Sequence, residues 1–202
     1  MYKRFFKRGI DIIGALVVTP FVLAEICILG PIIYLTDRGP IFYNGDRMGR
    51  NGKIFKMFKL RSMYVNSKDI RNADGSTFNS EKDPRVTPIG RFIRKTSLDE
   101  FPQFLNVLIG DMSLVGPRPS LTTTPYAEYS EVRKKRVSVR PGVTGYSQAY
   151  YRNSIGQDEK FMHDAYYADN ISFLMDVKVL FMTCWTVLAN KNINTAESQQ
   201  KK

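Results

Sequence analysis

Three observations predict an α/β fold that is predominantly helical and carries a helix inserted in a membrane. A basic N-terminus precedes residues 12–35, which are almost wholly apolar. Several later segments repeat apolar residues at helical spacing, and only 41–63 suggests a short β-hairpin. The sequence has no regular alternation of strands and helices of the kind that indicates a doubly wound sheet.

Composition divides the chain of 202 residues into three parts. Residues 1–36 hold the basic N-terminus and the membrane helix, 37–190 one compact domain, and 191–202 a polar tail typical of disorder. The formal net charge of +11 indicates an anionic partner: nucleic acid, an acidic membrane surface or a phosphorylated substrate. The two cysteines lie far apart in apolar runs, which favours a reducing compartment over a disulfide framework.

Thr19 and Pro20 interrupt the apolar segment. A straight helix of this length would extend about 36 Å and cross a bilayer core of about 30 Å. Basic residues flank it on both sides, within 3–8 and 38–50, and such residues prefer the cytoplasmic side of a membrane. A re-entrant helix that breaks at Pro20, where the Thr19 hydroxyl meets a freed carbonyl, keeps both flanks inside. The sequence favours this form over a single span but leaves both open.

The predicted hairpin pairs Ile41–Tyr43 with Lys53–Met63 across a Gly-rich turn. Lys59 and Arg61 alternate with apolar side chains on its second strand, where such charges are either solvated or available to a phosphate. Farther along, an amphipathic helix is predicted to begin at Pro88. The C-terminal apolar helix is too short for a second span, so we expect it to lie at the membrane interface or in the core.

Residues 95–120 hold the strongest functional signal. Asp99 and Glu100 are adjacent carboxylates at the start of an apolar helix. A purely structural interpretation is a capping box, in which Glu100 reaches back to Ser97. Arg118 follows between two prolines, which hold its guanidinium rigidly. Carboxylates beside a rigid arginine indicate phosphate and metal chemistry.

Three ordered motifs resemble those of the monotopic phosphoglycosyl transferases, a group of bacterial sugar transferases. They are Ser97 to Glu100, Gly110 to Pro119 and Arg140 to Gly145. The likeness extends from the N-terminal apolar segment to about residue 190. It implies an enzyme that transfers a sugar phosphate from a UDP-sugar to polyprenyl (undecaprenyl) phosphate, the first membrane step in assembling a capsule, O-antigen, exopolysaccharide or glycoprotein glycan.

The resemblance also implies roles for individual residues. Asp99 would attack the sugar-linked phosphate, forming an aspartyl-phosphosugar and releasing UMP, and Glu100 would hold Mg²⁺ against the diphosphate. Substrate contacts are implied for a mostly basic set: Lys59, Arg61, Arg118, Arg140, Gln148, Arg152 and Asp164. For Asp164 the contact would be to uridine or to a basic residue, and a surface acid is the alternative. The chain departs from the family pattern at residues 146–152, where aromatic side chains replace a Gly-bearing loop.

We therefore expect the bacterial inner membrane as the location, with the catalytic domain on the cytoplasmic face. The expected partners are a UDP-sugar, polyprenyl phosphate and the anionic membrane surface, without nucleic acid; a homo-oligomer is compatible with the sequence. The alternative of a different class is a non-enzymatic basic module that binds an acidic membrane or nucleic acid. Its basic residues are interleaved with Gly/Pro turns and form no recognisable nucleic-acid-binding motif.

Overall fold

The computed structural model describes residues 1–68, 70, 78, 80, 83–152 and 154–188. The predicted tail, 191–202, lies outside the described residues. Within them the protein is predominantly helical, as the sequence predicts, and it has two small sheets where the sequence predicts one short hairpin. The helices are α1 (Lys7–Asp37), α2 (Pro88–Lys95), α3 (Gln103–Ile109), α4 (Glu131–Arg136), α5 (Tyr146–Tyr150), α6 (Gln157–Asp169) and α7 (Phe173–Leu188). The strands are β1 (Gly45–Met48), β2 (Ile54–Met57), β3 (Ser113–Val115), β4 (Ser120–Leu121) and β5 (Gly142–Thr144).

The β-hairpin is present, but its strands differ from the predicted ones. β1 pairs antiparallel with β2, with Met48 opposite Ile54. The predicted first strand, Ile41–Tyr43, contributes only an isolated bridge between Phe42 and Leu60. The predicted bounds are wrong because β4 pairs with the other edge of β1 and makes that polar segment the central strand. A second sheet joins β3 and β5 in parallel.

α1 is one continuous helix that includes both Pro20 and Pro31. The proline φ of about −65° is compatible with a helix, and the predicted break at Pro20 is not observed. The carbonyl that Pro20 deprives of an N–H partner belongs to Leu16, four residues earlier. The Thr19 hydroxyl donates instead to the Ala15 carbonyl at 2.8 Å, so the role predicted for Thr19 is wrong. The re-entrant course of the helix stays a prediction.

Both ends of α1 are fastened to the same domain. Near its start the buried Asp11 accepts hydrogen bonds from the Ser113 hydroxyl and the Leu114 amide, each at 2.9 Å. At its end Asp37 pairs with Arg61 at 2.7 Å. Between these points one face is buried, through Ala15, Val22, Glu25, Leu29 and Ile33. The other face is exposed and apolar, through Ile13, Val17, Phe21, Ile28 and Leu35. By length and composition α1 could cross a membrane, and no other helix in the described ranges could.

α7 likewise has a buried and an exposed face. Asp176 on the buried face accepts a hydrogen bond from the Tyr167 hydroxyl and pairs with Lys7, each at 2.6 Å. This contact ties the start of α1 to α7. The exposed face is apolar, with Phe173, Leu174, Phe181 and Trp185. α7 therefore combines the core packing and the exposed apolar face that the sequence predicts for it.

Candidate active site

Asp99 and Glu100 lie in a short 3-10 helix, Leu98–Glu100, just before α3. Ser97 precedes it in the left-handed conformation, with a φ of 59°, and its side chain caps no N–H. The capping-box interpretation is therefore wrong. Asp99 is 3% exposed, and its carbonyl accepts a hydrogen bond from the Leu60 amide at 3.1 Å. The backbone thus holds both carboxylates against the segment that follows β2.

Two cations meet this pair of carboxylates. The Lys59 ammonium lies 2.8 Å from Oδ2 of Asp99 and 3.2 Å from Oε1 of Glu100. The Arg118 guanidinium reaches the same Glu100 oxygen at 3.1 Å. Of the residues predicted for the site, the structure thus brings together Asp99, Glu100, Lys59 and Arg118. The guanidinium of Arg118 is about half exposed, so it can also meet a ligand from solution.

The two carboxylates differ in their protonation. Burial raises the pKa of Asp99, and the charge of Lys59 opposes that rise. Burial also acts to raise the pKa of Glu100, but the charges of Arg118 and Lys59 outweigh it and lower that pKa to about 2. Glu100 is therefore a stable anion at neutral pH. Asp99 is a poorly solvated carboxyl whose anionic form depends on Lys59.

Arg94, in the last turn of α2, is a further site residue that was not identified from the sequence. Its Nε donates to the Ser62 hydroxyl at 2.8 Å, and its charge acts on both Asp99 and Glu100. The only feature of the sequence that could have identified Arg94 as a site residue is its position shortly before the two carboxylates. No local pattern distinguishes it from its basic neighbours.

Asp164 does not line the carboxylate pair. It is buried and accepts hydrogen bonds from Nε of Arg136 at 2.8 Å and from the Ser147 hydroxyl at 2.6 Å. The same Arg136 donates to the Arg118 carbonyl and to the Ser120 hydroxyl. The structure therefore shows the predicted contact between Asp164 and a basic residue, and its burial excludes the alternative that Asp164 is an acid on the surface. Asp164 orients Arg136, which holds the backbone of Arg118.

Arg61 also has a structural position, which corrects its assignment as a substrate contact. It is buried, and its guanidinium pairs with both oxygens of Asp37 at 2.7 Å. Its Nε donates to the Pro40 carbonyl at 2.5 Å, and the Met63 carbonyl accepts at 3.0 Å. These bonds occupy all three of its nitrogens, so the side chain fastens the end of α1 instead of meeting substrate.

The remaining predicted contacts lie on other elements. Nε of Arg140 donates to the Gly110 carbonyl at 2.8 Å, at the C-terminal end of α3, whereas Asp99 precedes its N-terminal end. Arg152 lies against α7, 3.3 Å from the Thr186 hydroxyl. Gln148 on α5 has a buried side-chain oxygen that accepts no hydrogen bond within the described part of the chain. The structure therefore does not gather these three around Asp99.

The chemistry of the pair suits a magnesium ion that substrate phosphates help to hold. Among the described residues no cluster of three or more His, Cys, Asp or Glu could hold a metal by itself. Mg²⁺ usually takes one or two carboxylates together with phosphate oxygens and water. Lys59 and Arg118 both bond Oε1 of Glu100, and Oε2 accepts no protein hydrogen bond in the described ranges. This donor set is compatible with a Mg²⁺ ion that takes further oxygen ligands from phosphate and water.

Comparison with known proteins gives the family. A family model described as bacterial sugar transferase matches residues 2–190. The chain is 43% identical over 190 residues to galactosyl transferase CpsE of Streptococcus agalactiae, covering 90% of this chain and 42% of that protein. It is 38% identical over 203 residues to undecaprenyl-phosphate galactose phosphotransferase of Salmonella typhimurium, covering 92% and 41%. It is 39% identical over 187 residues to an uncharacterized sugar transferase, EpsL, of Bacillus subtilis, covering 93% and 89%.

The chain belongs to the bacterial sugar transferase family, and the resemblance drawn from its three motifs is confirmed. It spans about two fifths of the length of the first two relatives and most of EpsL.

Proposed function

We propose that the protein transfers a sugar 1-phosphate from a UDP-sugar to undecaprenyl phosphate, releases UMP, and so initiates assembly of a glycan. The observation that carries this proposal is the buried Asp99 carboxylate, 2.8 Å from Lys59 and next to the anionic Glu100. The names of the relatives support the class of acceptor, since the Salmonella typhimurium protein is an undecaprenyl-phosphate galactose phosphotransferase.

In the first step an oxygen of Asp99 attacks the phosphorus that carries the sugar. A bond forms between that oxygen and phosphorus, while the bond to the bridging oxygen breaks and its electron pair leaves with UMP. Lys59 holds the attacking carboxylate in its anionic form and in place. Covalent catalysis of this kind replaces one difficult displacement by two easier ones.

Glu100 and Arg118 act on the charge of the diphosphate. Mg²⁺, when bound, would neutralise the phosphate oxygens that an anionic nucleophile must approach. Glu100 is the residue that would hold it, because its carboxylate stays ionised and its Oε2 is available. The half-exposed Arg118 guanidinium binds phosphate oxygens, and the network of Arg136 and Asp164 fixes its backbone.

In the second step a phosphate oxygen of undecaprenyl phosphate attacks the same phosphorus. The bond to Asp99 breaks, and the carboxylate is regenerated. The acceptor is a membrane lipid, and α1 supplies the exposed apolar face beside the domain. Because Asp11 and Asp37 fasten both ends of α1 to one domain, we propose that both ends of the helix lie with that domain on the cytoplasmic face and that the exposed apolar face of α1 contacts the membrane.

The test measures UMP release by detergent-solubilised protein with Mg²⁺, undecaprenyl phosphate and a panel of UDP-sugars. We expect release by the wild type with one sugar and none by Asp99→Asn. UMP release that persists in Asp99→Asn would overturn the assignment of Asp99 as the nucleophile. Absence of UMP release by the wild type with every sugar of the panel would favour the non-enzymatic binding module.

A further inference from the structure

A cleft of about 270 Å³ lies away from the carboxylate pair, between the turn that joins β1 to β2 and the loop after α3. Its charged lining consists of Arg50 and Lys53 from the turn, Arg140 from the segment before β5, and one acid, Asp111. The Gly49 amide donates to the Lys53 carbonyl at 2.8 Å, and this backbone hydrogen bond closes the turn that carries Arg50 and Lys53.

A fourth cation adjoins the cleft. Arg8 donates to the Val107 and Leu108 carbonyls at 2.6 and 3.0 Å, at the C-terminal end of α3. Burial lowers the pKa of Arg140, the charges of Arg8 and Arg50 lower it further, and the charge of Asp11 opposes them without reversing the shift. Like charges are therefore crowded at this place, an arrangement that a bound anion would stabilise.

The cations of the cleft lack the counter-charges that other basic residues have. Lys59, Arg61 and Arg136 each pair with a carboxylate. Four cations form the cluster at the cleft: Arg8, Arg50, Lys53 and Arg140. Within the described part of the chain, none of these four forms an ion pair with a carboxylate. Their positive charge is available to an external anion.

The cleft is separate from the proposed catalytic centre. Arg140 bonds the carbonyl of Gly110, beyond one end of α3, whereas Asp99 lies before the other end. α3 has seven residues, which is a length of about 10 Å. The charges that act on Asp99 include those of Lys59, Glu100 and Arg94, and none of these three residues lines the cleft.

Exposed apolar residues lie next to these cations in the sequence. Ile54 follows Lys53 directly and is 56% exposed, and Ile109 precedes Gly110 and is 63% exposed. Phe5 and Phe6, close before Arg8, are exposed as well. Basic side chains beside exposed apolar ones are typical of a surface that meets lipid headgroups, with the apolar groups entering the acyl boundary.

We propose that this cleft binds the phosphate of an anionic phospholipid headgroup and so seats the domain on the membrane surface. The lipid is a ligand in addition to the undecaprenyl phosphate acceptor. The proposal does not depend on the catalytic role of Asp99, so an Asp99→Asn protein binds the same lipid.

The experiment follows the thermal midpoint of the full chain in detergent as dioctanoyl phosphatidylglycerol, dioctanoyl phosphatidylcholine or inorganic phosphate is added. A ligand that binds the folded state raises the midpoint with its concentration. We expect a rise with phosphatidylglycerol and a much smaller one with phosphatidylcholine. Equal rises with inorganic phosphate and phosphatidylglycerol would overturn the assignment to a lipid headgroup.

The variant Arg50→Gln/Lys53→Gln removes two exposed cations of the cleft. Each basic residue near an anionic surface accounts for about a fivefold change in affinity, so the double variant should need roughly 25-fold more phosphatidylglycerol for the same rise. The matched control is Lys134→Gln/Lys135→Gln, which removes the same charge from α4. An equal loss in the control would overturn the site, because binding would then follow net charge alone. UMP release, measured in parallel, reports separately on the proposed catalytic function.

Discussion

Replacing Asp164 by Asn tests whether this residue is a structural partner of Arg136 or a ligand of the nucleotide. The side chains of Asp164 and Arg136 are 2% and 5% exposed, and their atoms lie 2.8 Å apart. Asn removes the negative charge and places an amide group where one of the two carboxylate oxygens now accepts a hydrogen bond. The guanidinium of Arg136 is then buried without its counter-charge.

Breaking a buried ion pair on one side costs about 3–5 kcal/mol of folding free energy. For a chain of this size each kcal/mol lowers the thermal midpoint by about 2–4 °C. The midpoint of Asp164→Asn should therefore fall by roughly 6–20 °C. It can be followed by intrinsic fluorescence in detergent, with inhibition of the enzyme by UMP measured below the transition.

The matched control is Asp169→Asn, on the same helix. Asp169 pairs with Lys135 at 2.7 Å, but both side chains are about half exposed. Exposed pairs contribute about 0–1 kcal/mol, so the midpoint should hardly change. An Asp164→Asn protein that melts like this control, yet binds UMP less tightly, would refute the structural role and restore Asp164 as a nucleotide ligand.

Three further predictions concern the candidate site and the ion pair between Arg61 and Asp37 at the end of α1. Lys59→Met should lower the rate of UMP release by about 100-fold or more, because it removes the cation that holds the nucleophile. Lys56→Met, an exposed neighbour on β2, should not, and equal losses would contradict the role of Lys59. Arg61→Met should lower the thermal midpoint by a similar amount to Asp164→Asn, because it leaves Asp37 without its partner. UMP release should persist at low temperature, and a stable but inactive Arg61→Met protein would instead indicate that Arg61 contacts the substrate. EDTA should abolish UMP release and added Mg²⁺ restore it, whereas full activity in EDTA would remove the metal-holding role of Glu100.

The sequence predicted the elements that local patterns encode. The presence of an apolar N-terminal helix, the start of α2 at Pro88 and the apolar stripe of α7 follow from hydropathy, periodicity and end signals, whereas the break expected at Pro20 is absent. The hairpin bounds could not be predicted in this way. β1 is polar and becomes a central strand only through its pairing with β4, which lies about 70 residues later and leaves no local signal.

The candidate site was predictable only in its centre. Asp99 and Glu100 stand out as adjacent acids in a recognisable motif, and Arg118 as an arginine between prolines. The sequence did not indicate which of Lys59 and Arg61 belongs to the site, because Asp37, the partner of Arg61, lies 24 positions earlier at the end of α1. The pairing of Asp164 with Arg136 across 28 positions is of the same kind. Such pairings depend on tertiary packing, which a single sequence does not display.

The covalent intermediate on Asp99 is tested most directly by the mass of the intact protein after incubation with Mg²⁺ and its UDP-sugar in the absence of undecaprenyl phosphate. We expect a mass increase of one phosphosugar, located on the peptide that contains Asp99, together with UMP equimolar to the protein. Adding undecaprenyl phosphate should discharge the adduct, and Asp99→Asn should form none. Release of UMP only when the lipid is present, with no adduct at any time, would rule out the covalent intermediate and indicate direct transfer.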